Sequence, residues 1–508
     1  MRSIEDRSET LGVSKDTLME NAGFAIASYV VSKLGPVKGV KILTLIGVGG
    51  NGSDGYIVSR HLAEQGAIVT ALKLIETKKP NLKERLAKES GVACAGRAFT
   101  SNEELLKCLV HDAEILIDGL FGIGINRKID GELSDCLDTI KRNVSRNVPV
   151  VSIDLPSGVD GDTGAVDSAT IKADFTAVLG FLKLGHVVQP GASFCGIMSL
   201  MDIGIPPHLE EEITLDKITE EMASTLLPER PDLSHKGMFG KLLVVGGSEN
   251  FFGAPALASA AAARSGAGLV TVACQQHVAS TVLATFPEGT FLNLVENSEG
   301  KLDGWRSAIE VGHILGSYSA MLVGCGLGMT REKYKLVQNL LFSEVPVPPI
   351  VVDADGLNLI AKFYKWWERM SDTVILTPHI GEMSRLTGLG SSEIKSDALQ
   401  IARFYSNKWG KIIVLKDAHT VVASPNGDAS INDVANPVLA SAGTGDVLAG
   451  IISGLVAQSV PLMSAATLGV FVHSQTANNI SKRVGSSGLL ASDLLSEIPV
   501  VMKKLRRL

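Results

Sequence analysis

The segment AGTGD, residues 442–446, sets Asp446 directly behind Gly443 and Gly445, at the mouth of a long uncharged stretch. If a helix starts here, the amides around Gly443, Thr444 and Gly445 face out of its positive end and form an anion hole for a phosphoryl group. A carboxylate beside such a hole can take the proton from a hydroxyl as that oxygen attacks phosphorus. The preorganised donors then stabilise the charge that develops on the phosphate. A helix cap alone would not require two preceding glycines, so these residue types favour a base for phosphoryl transfer over a purely structural aspartate.

Other residues capable of chemistry also follow apolar runs. LVGCGLGMT supplies Gly324, Gly326 and Gly328; VVDADGLN supplies Asp353, Asp355 and Asn358; TPHIGE supplies His379 and Glu382; LKDAHT supplies Lys416. VVGGSENFFGAPALASAAAARSGAG puts a glycine turn ahead of a small-residue helix, which suits tight helix packing or close contact with a flat ligand. In the first half, Gly47, Gly49 and Gly52 have GxGxxG spacing and Glu76 ends the next apparent strand, a pattern open to a dinucleotide or to a simple tight turn. Asn51, Asp54, Asp118, Asp154 and Ser157 converge as an oxygen-rich set suited to a hard cation and sugar hydroxyls, which hydride transfer would not need. Lys183, in FLKLGH, reads as a solvated charge, or else as a general acid or a phosphate contact.

The elements that must position these loops are parallel strands. Runs such as KILTLIGV, AEILIDGL, KLLVVGG, PIVVDAD and KIIVLKD are continuously apolar and alternate with amphipathic stretches, the pattern of a sheet covered by helices on both faces. Both halves are therefore expected to be α/β, with ligands beyond the carboxyl ends of the strands. At 508 residues the chain exceeds the size of one core. The proline- and acid-rich stretch before Lys241 reads as a connection, placing domains at 1–212 and 213–508. Val447 to Ser481 holds no charge, but Gln458, Ser459 and Pro461 break it into two segments too short to span a bilayer, so two buried helices are expected. A net charge of −7 without a basic run argues against nucleic acid or an anionic membrane as partner. Six scattered cysteines without a CxxC read as thiols in a reducing, cytoplasmic setting.

Taken together the motifs resemble a known family. ETLGVSKDTLMENAG, the glycine loop, DGLFGIGINR, DLPSG and FLKLGH look like the N-terminal epimerase domain of the NAD(P)H-hydrate repair enzymes. RPDLSHKGMFGKLLVVGGS, GCGLG, DADGLN, TPHIGEM and AGTGDVLAG look like their dehydratase domain, from about residue 225 onward. The resemblance implies a Rossmann-like three-layer domain followed by a ribokinase-like α/β domain. The first would interconvert the R and S forms of hydrated NADH or NADPH. The second would dehydrate the S form by phosphorylating its hydroxyl from ADP or ATP, with Mg2+, and eliminating phosphate.

Residue by residue, the resemblance implies potassium held by Asn51, Asp118 and Ser157. The hydrated dinucleotide would meet Gly50, Asn51, Gly52, Ser53 and Asp54, then Gly122, Ile123, Gly124, Ile125, Asn126, Arg127 and Lys128, and Asp154. Asp118, closest in sequence to the glycine-rich loop, is the expected proton-transfer residue of that half. In the dehydratase half, Gly326, Pro378, His379, Ile380, Gly381, Glu382, Met383 and Ser384 would hold the hydrated nicotinamide, with Asp446 as the base. Lys416, Asp417, Ala418, His419 and Thr420 would hold the nucleotide, with Asn436, Ala442, Gly443, Thr444 and Gly445. The partners implied are small molecules and further copies of the chain. GGNGSDG departs from the family's GNNGGDG at Gly50 and Ser53, and Cys325 and Ile380 stand where prolines are usual. Two rival readings stay open: a vitamin-precursor kinase of the same fold, and a first half that binds without turnover.

Overall fold

The computed structural model describes residues 1–75, 81–96, 101–124, 128–343 and 346–507, so Glu76, Ile125, Asn126 and Arg127 lie outside the described residues. The chain divides into two units, Met1–Ile213 and Thr214–Leu508.

In the first unit the apolar runs form β1 (Lys41–Ile46), β2 (Ile68–Lys73), β3 (Ala93–Ala95), β4 (Ile115–Gly119), β5 (Val150–Ile153), β6 (Phe175–Leu179) and β7 (Ile197–Met201). They make one parallel sheet in the order β3-β2-β1-β4-β5-β6-β7. Alternation along β1 shows why both faces are covered. Ile42 and Ile46 join a core with Ile26 and Val30 of the helix Lys15–Leu34, while Leu43 and Leu45 join a second core with Leu106, Leu137 and Ile140. Strand order reverses between β1 and β4, the place where such sheets open a crevice.

In the second unit the strands are β8 (Leu215–Lys217), β9 (Lys241–Val245), β10 (Leu269–Cys274), β11 (Thr290–Asn293), β12 (Ala320–Val323), β13 (Ile350–Val352), β14 (Val374–Leu376), β15 (Ile412–Leu415), β16 (Val421–Ala423) and β17 (Ala429–Ile431). Their order is β11-β10-β9-β12-β13-β14-β15-β16-β17-β8, and only the β15–β16 and β16–β17 pairs are antiparallel. β9, β12, β13, β14 and β15 are consecutive neighbours, so their GGS, GCG, DAD, TPH and KDA loops lie side by side. The stretch read as a connection is ordered: a 3-10 helix spans Pro207–Glu212, β8 adds to β17, and a short helix, Glu220–Thr225, buries Ala223. Three residues, two of them charged, carry no period from which a strand could be read.

The uncharged stretch becomes two helices, Thr444–Ala457 and Leu462–Val484, separated at Gln458–Pro461. No helix among the described residues is long and apolar enough to cross a membrane. Thr444–Ala457 packs on the small-residue helix Gly253–Arg264 at a separation that only glycine and alanine permit. A Cβ on Gly450 would lie 2.2 Å from the Ala258 carbonyl oxygen. Gly450→Val should therefore destabilise the unit by about 1–3 kcal/mol or more, since backbone must move to admit it. Equilibrium denaturation of the full chain measures this, and unchanged stability would refute the packing account.

Candidate functional site

The helix start at Thr444 is locked from behind. Gly443 turns the chain with φ +87, and Thr444 Oγ1 donates to the carbonyls of Leu439 at 2.8 Å and Ser441 at 2.9 Å. Burial pushes the His473 imidazole down to about 4, so it is neutral, and its Nε2 donates to the Thr444 carbonyl at 2.9 Å. With Thr444 so engaged, the outward donors are main-chain amides. Gly445 and Asp446 occupy early helical positions with no acceptor one turn back, while the Thr444 amide reaches Ser441 only at 3.5 Å.

Lys416, at the end of β15, supplies the cation for this hole. Its Nζ lies 3.5 Å from where a Cβ on Gly445 would stand. It pairs with Asp353 Oδ1 at 2.6 Å and approaches Glu382 Oε2 at 4.0 Å. Burial works against the Lys416 charge, but Asp353 and Glu382 outweigh it and hold the ammonium above its ordinary value. Thr377 Oγ1 also donates to Asp353 Oδ1, at 2.7 Å. A ladder contact between His379 and Lys416, with the Lys416 amide 2.8 Å from the Pro378 carbonyl, fixes the TPH loop against the KDA loop.

Asp446 stands half-buried beside this group. Burial and the neighbouring Asp353 push its carboxyl up to about 6, while the Cys325 thiol and Lys416 pull it back. Cys325 Sγ and oxygens of Asp353 and Asp446 all lie within 4.8 Å of one another. A carboxylate titrating near 6 is a stronger base than an ordinary aspartate and is still mostly ionised at neutral pH. In the adjoining DAD loop Ala354 has φ +49, a strained conformation for a non-glycine residue, and Asp355 accepts the Gly328 amide at 2.8 Å.

Not every residue expected here faces the site. Met383 is fully buried and Ile380 nearly so, and Ser384 Oγ turns to the Leu389 carbonyl, so these three support their helix. His379 and Glu382 instead form a reciprocal cap: the Glu382 carboxylate accepts the His379 amide at 2.8 Å, and burial pushes the Glu382 carboxyl up. Gly326 sits at φ +62 with its carbonyl held by Ser248 Oγ. Asn436 bonds Ser481 at 3.2 Å, Thr420 donates to the Asp417 carbonyl, and Asp417, Ala418 and Ala442 are exposed at the rim. His473 was missed by the sequence reading, because it lies mid-helix, 29 positions from the carbonyl it holds.

In the first unit a cavity of about 680 Å³ opens where strand order reverses. Gly50, Asn51, Asp54, Gly122, Ile123, Gly124 and Asp154 line it, as expected, while Gly52 is buried beneath and Lys128 is exposed. Met1, Arg2, Glu5 and Lys15, from the N-terminal helices, also line it, and no strand-end motif pointed to them. Gly52 is obligatory in the turn, since a Cβ there would stand 2.0 Å from the Gly47 carbonyl oxygen.

The carboxyls of this unit differ in what surrounds them. Asp118 is 1% exposed and accepts from Ser157 Oγ at 2.5 Å, from the Ser157 amide at 2.7 Å and from the Leu120 amide at 3.3 Å. It lies behind the cavity wall, which moves the expected proton-transfer role away from it. Asp54 and Asp154 reach the cavity instead. Burial, together with the Asp154 charge, pushes the Asp54 carboxyl well up, and its Oδ1 has no hydrogen-bond partner among the described residues. Asp154 is paired with Lys183 at 2.5 Å, and both side chains are only 8% exposed, so Lys183 is a buried partner and not a solvated charge.

Comparison with known proteins follows this division. A family model described as NAD(P)H-hydrate dehydratase matches residues 242–500, and one described as YjeF-related protein N-terminus matches residues 15–185. A bifunctional NAD(P)H-hydrate repair enzyme of Thermofilum pendens is 34% identical over 99% of this chain and 94% of its own length. One of Escherichia coli is 32% identical over 98% and 91%. The ADP/ATP-dependent NAD(P)H-hydrate dehydratase of Bacillus subtilis, co-crystallised with ATP and Mg2+, superposes with a TM-score of 0.51 at 31% identity, covering 58% of this chain and 99% of that one. The chain belongs to the family of bifunctional NAD(P)H-hydrate repair enzymes.

Proposed function

We infer that this chain is a bifunctional enzyme that epimerises hydrated NADH and NADPH in Met1–Ile213 and dehydrates the S form, with a nucleotide as phosphoryl donor, in Thr214–Leu508. The observation that carries the second activity is Lys416 Nζ at the Gly445 turn with Asp446 next in the chain. In this reading the main-chain amides and Lys416 hold the transferring phosphoryl group of ADP or ATP, whose terminal groups are alike to such a hole. Asp446 takes the substrate's hydroxyl proton as oxygen bonds to phosphorus and the shortened nucleotide leaves. The ring nitrogen then expels phosphate, a proton leaves the adjacent ring carbon, and the double bond of NAD(P)H is restored. Mg2+ would accompany the nucleotide and offset the charge of its phosphates. A kinase releasing a stable phosphoester is disfavoured by full-length similarity to the repair enzymes.

For the first unit we propose Asp54 and Asp154 as an acid and base kept apart by environment. Protonated Asp54 gives its proton to the leaving hydroxyl, which departs as water while the ring nitrogen stabilises the cation. Water returns on the opposite face and Asp154 takes its proton. Among the described residues no cation is in bonding contact with the buried Asp118 carboxylate, and with Ser157 Oγ and the side-chain oxygen of Asn51 it offers the hard donors potassium prefers. Potassium there would fix the loops after β4 and β5. Six cysteines, none of them in a disulfide, accord with a cytoplasmic enzyme.

Three outcomes are expected. Asp446→Asn should cut dehydration of the S form by about 10²–10⁴-fold with the fold retained; near-full activity would remove the proposed base. Dehydration kcat/KM should drop about tenfold per unit as pH falls below about 6, because the ionised form of Asp446 is the active one and its carboxyl is pushed up to about 6. A pH–rate profile flat down to pH 5 would contradict that. Asp154→Asn should stop recovery of the R form while sparing that of the S form, read as dihydronicotinamide absorbance regained from an R and S mixture with ADP or ATP.

A further inference from the structure

We propose that His186 is the positioning residue of the epimerase site, setting the Asp154 carboxylate through a bond from its Nε2–H to the Asp154 main-chain carbonyl. This rests on the reading of Asp154 as the base. Asp154 has φ +62, a left-handed conformation that side-chain-bearing residues avoid, so its main chain must be held by its surroundings. Its amide donates to the Ala177 carbonyl at 2.9 Å, and its Oδ1 accepts from the Leu179 amide at 3.1 Å and from Lys183 Nζ. The carbonyl oxygen is met by His186 Nε2 at 2.6 Å.

The tautomer follows from the other side of the ring. The Lys183 amide donates to His186 Nδ1 at 2.9 Å, so Nδ1 is the acceptor and the proton sits on Nε2. Burial lowers the His186 pKa, which keeps the ring neutral and this arrangement intact. One imidazole thereby ties the main chain at Asp154 and at Lys183, 29 residues apart, and the two side chains meet in front of it. His186 is itself 1% exposed and does not line the cavity, so it acts through Asp154 and not on substrate.

The two ring nitrogens can be separated by substitution in the full-length protein. A glutamine amide nitrogen reaches the place of Nε2 and keeps the donor to Asp154. An asparagine amide reaches only the place of Nδ1 and keeps the contact to Lys183. Steady-state epimerisation of the R form should show kcat down about 10–100-fold in His186→Leu, with KM within about twofold. His186→Gln should stay within about threefold of the parent kcat, and His186→Asn should resemble the leucine variant. A parent-like kcat in His186→Leu, or equal rates in the glutamine and asparagine variants, would overturn the proposal. Should the leucine variant lose its fold, the glutamine–asparagine comparison decides alone. Full epimerisation by Asp154→Asn would instead remove the underlying reading; an inactive Asp154→Asn beside an active His186→Leu would remove only the role of His186.

Discussion

A buried ammonium between two carboxyls is the constraint around which the second unit is arranged. Lys416 cannot lose its neighbours without stranding a charge in a dry place, and Asp353 and Glu382 would lose the cation they face. Because Lys416 ends β15, Asp353 follows β13 and Glu382 lies past β14, satisfying the lysine draws three adjacent loops together. The arrangement also sets the field at the helix start. Lys416 adds positive charge to amides that already face outward, while Asp353, whose carboxyl lies within 4.8 Å of that of Asp446, pushes the Asp446 carboxyl up. The charge that faces the helix start and the carboxyl beside it are thus set by the same few atoms.

The first unit keeps its carboxyls distinct by different means. Asp118 spends its oxygens on Ser157 and on main-chain amides, which makes it a brace between the loops after β4 and β5. Asp154 is paired with Lys183, and as a neighbour of Asp54 it adds to the burial that pushes the Asp54 carboxyl up. Three aspartates at neighbouring strand ends thus acquire three conditions from what surrounds them, although the sequence shows them as the same residue type.

This difference marks how far the residues alone could be read. The parallel sheets and the small-residue helices were legible because continuous β-branched runs and Ala-Ser-Gly stretches each have few structural uses, and AGTGD was legible as a helix start because its glycine turn runs straight into an uncharged segment. Asp154 against Lys183 was not, nor Lys416 against Asp353: such pairs depend on which strands are neighbours, and proximity in sequence favoured Asp118 for a role that the cavity wall denies it. The segment ETLGVSKDTLMENAG carried the family resemblance, but that Arg2 and Lys15 reach the cavity was hidden, since they come from elements with no glycine turn to announce them. In the 378–384 segment the family pattern marks a whole helix start, yet only part of it can face a ligand because a helix must turn its other side to the core.

The altered glycine loop bears on whether the first unit is a catalyst or a relic. Ser53 adds a Cβ where the family has none, but its hydroxyl folds back to the Gly49 carbonyl at 3.1 Å, within its own helix turn. The close approach that the loop cannot forgo, Gly52 against the Gly47 carbonyl, is kept. At Gly50 a side chain would project towards Met19 at the cavity wall, so its loss removes an amide from the rim and leaves Asn51 and Asp54 in place. Both of those carry buried polar atoms without partners among the described residues, which is costly unless something binds there. A scaffold relieved of turnover would gain stability by losing such atoms, as it would by losing the strain at Asp154. Their retention at the mouth of the sheet is the physical argument for a working site.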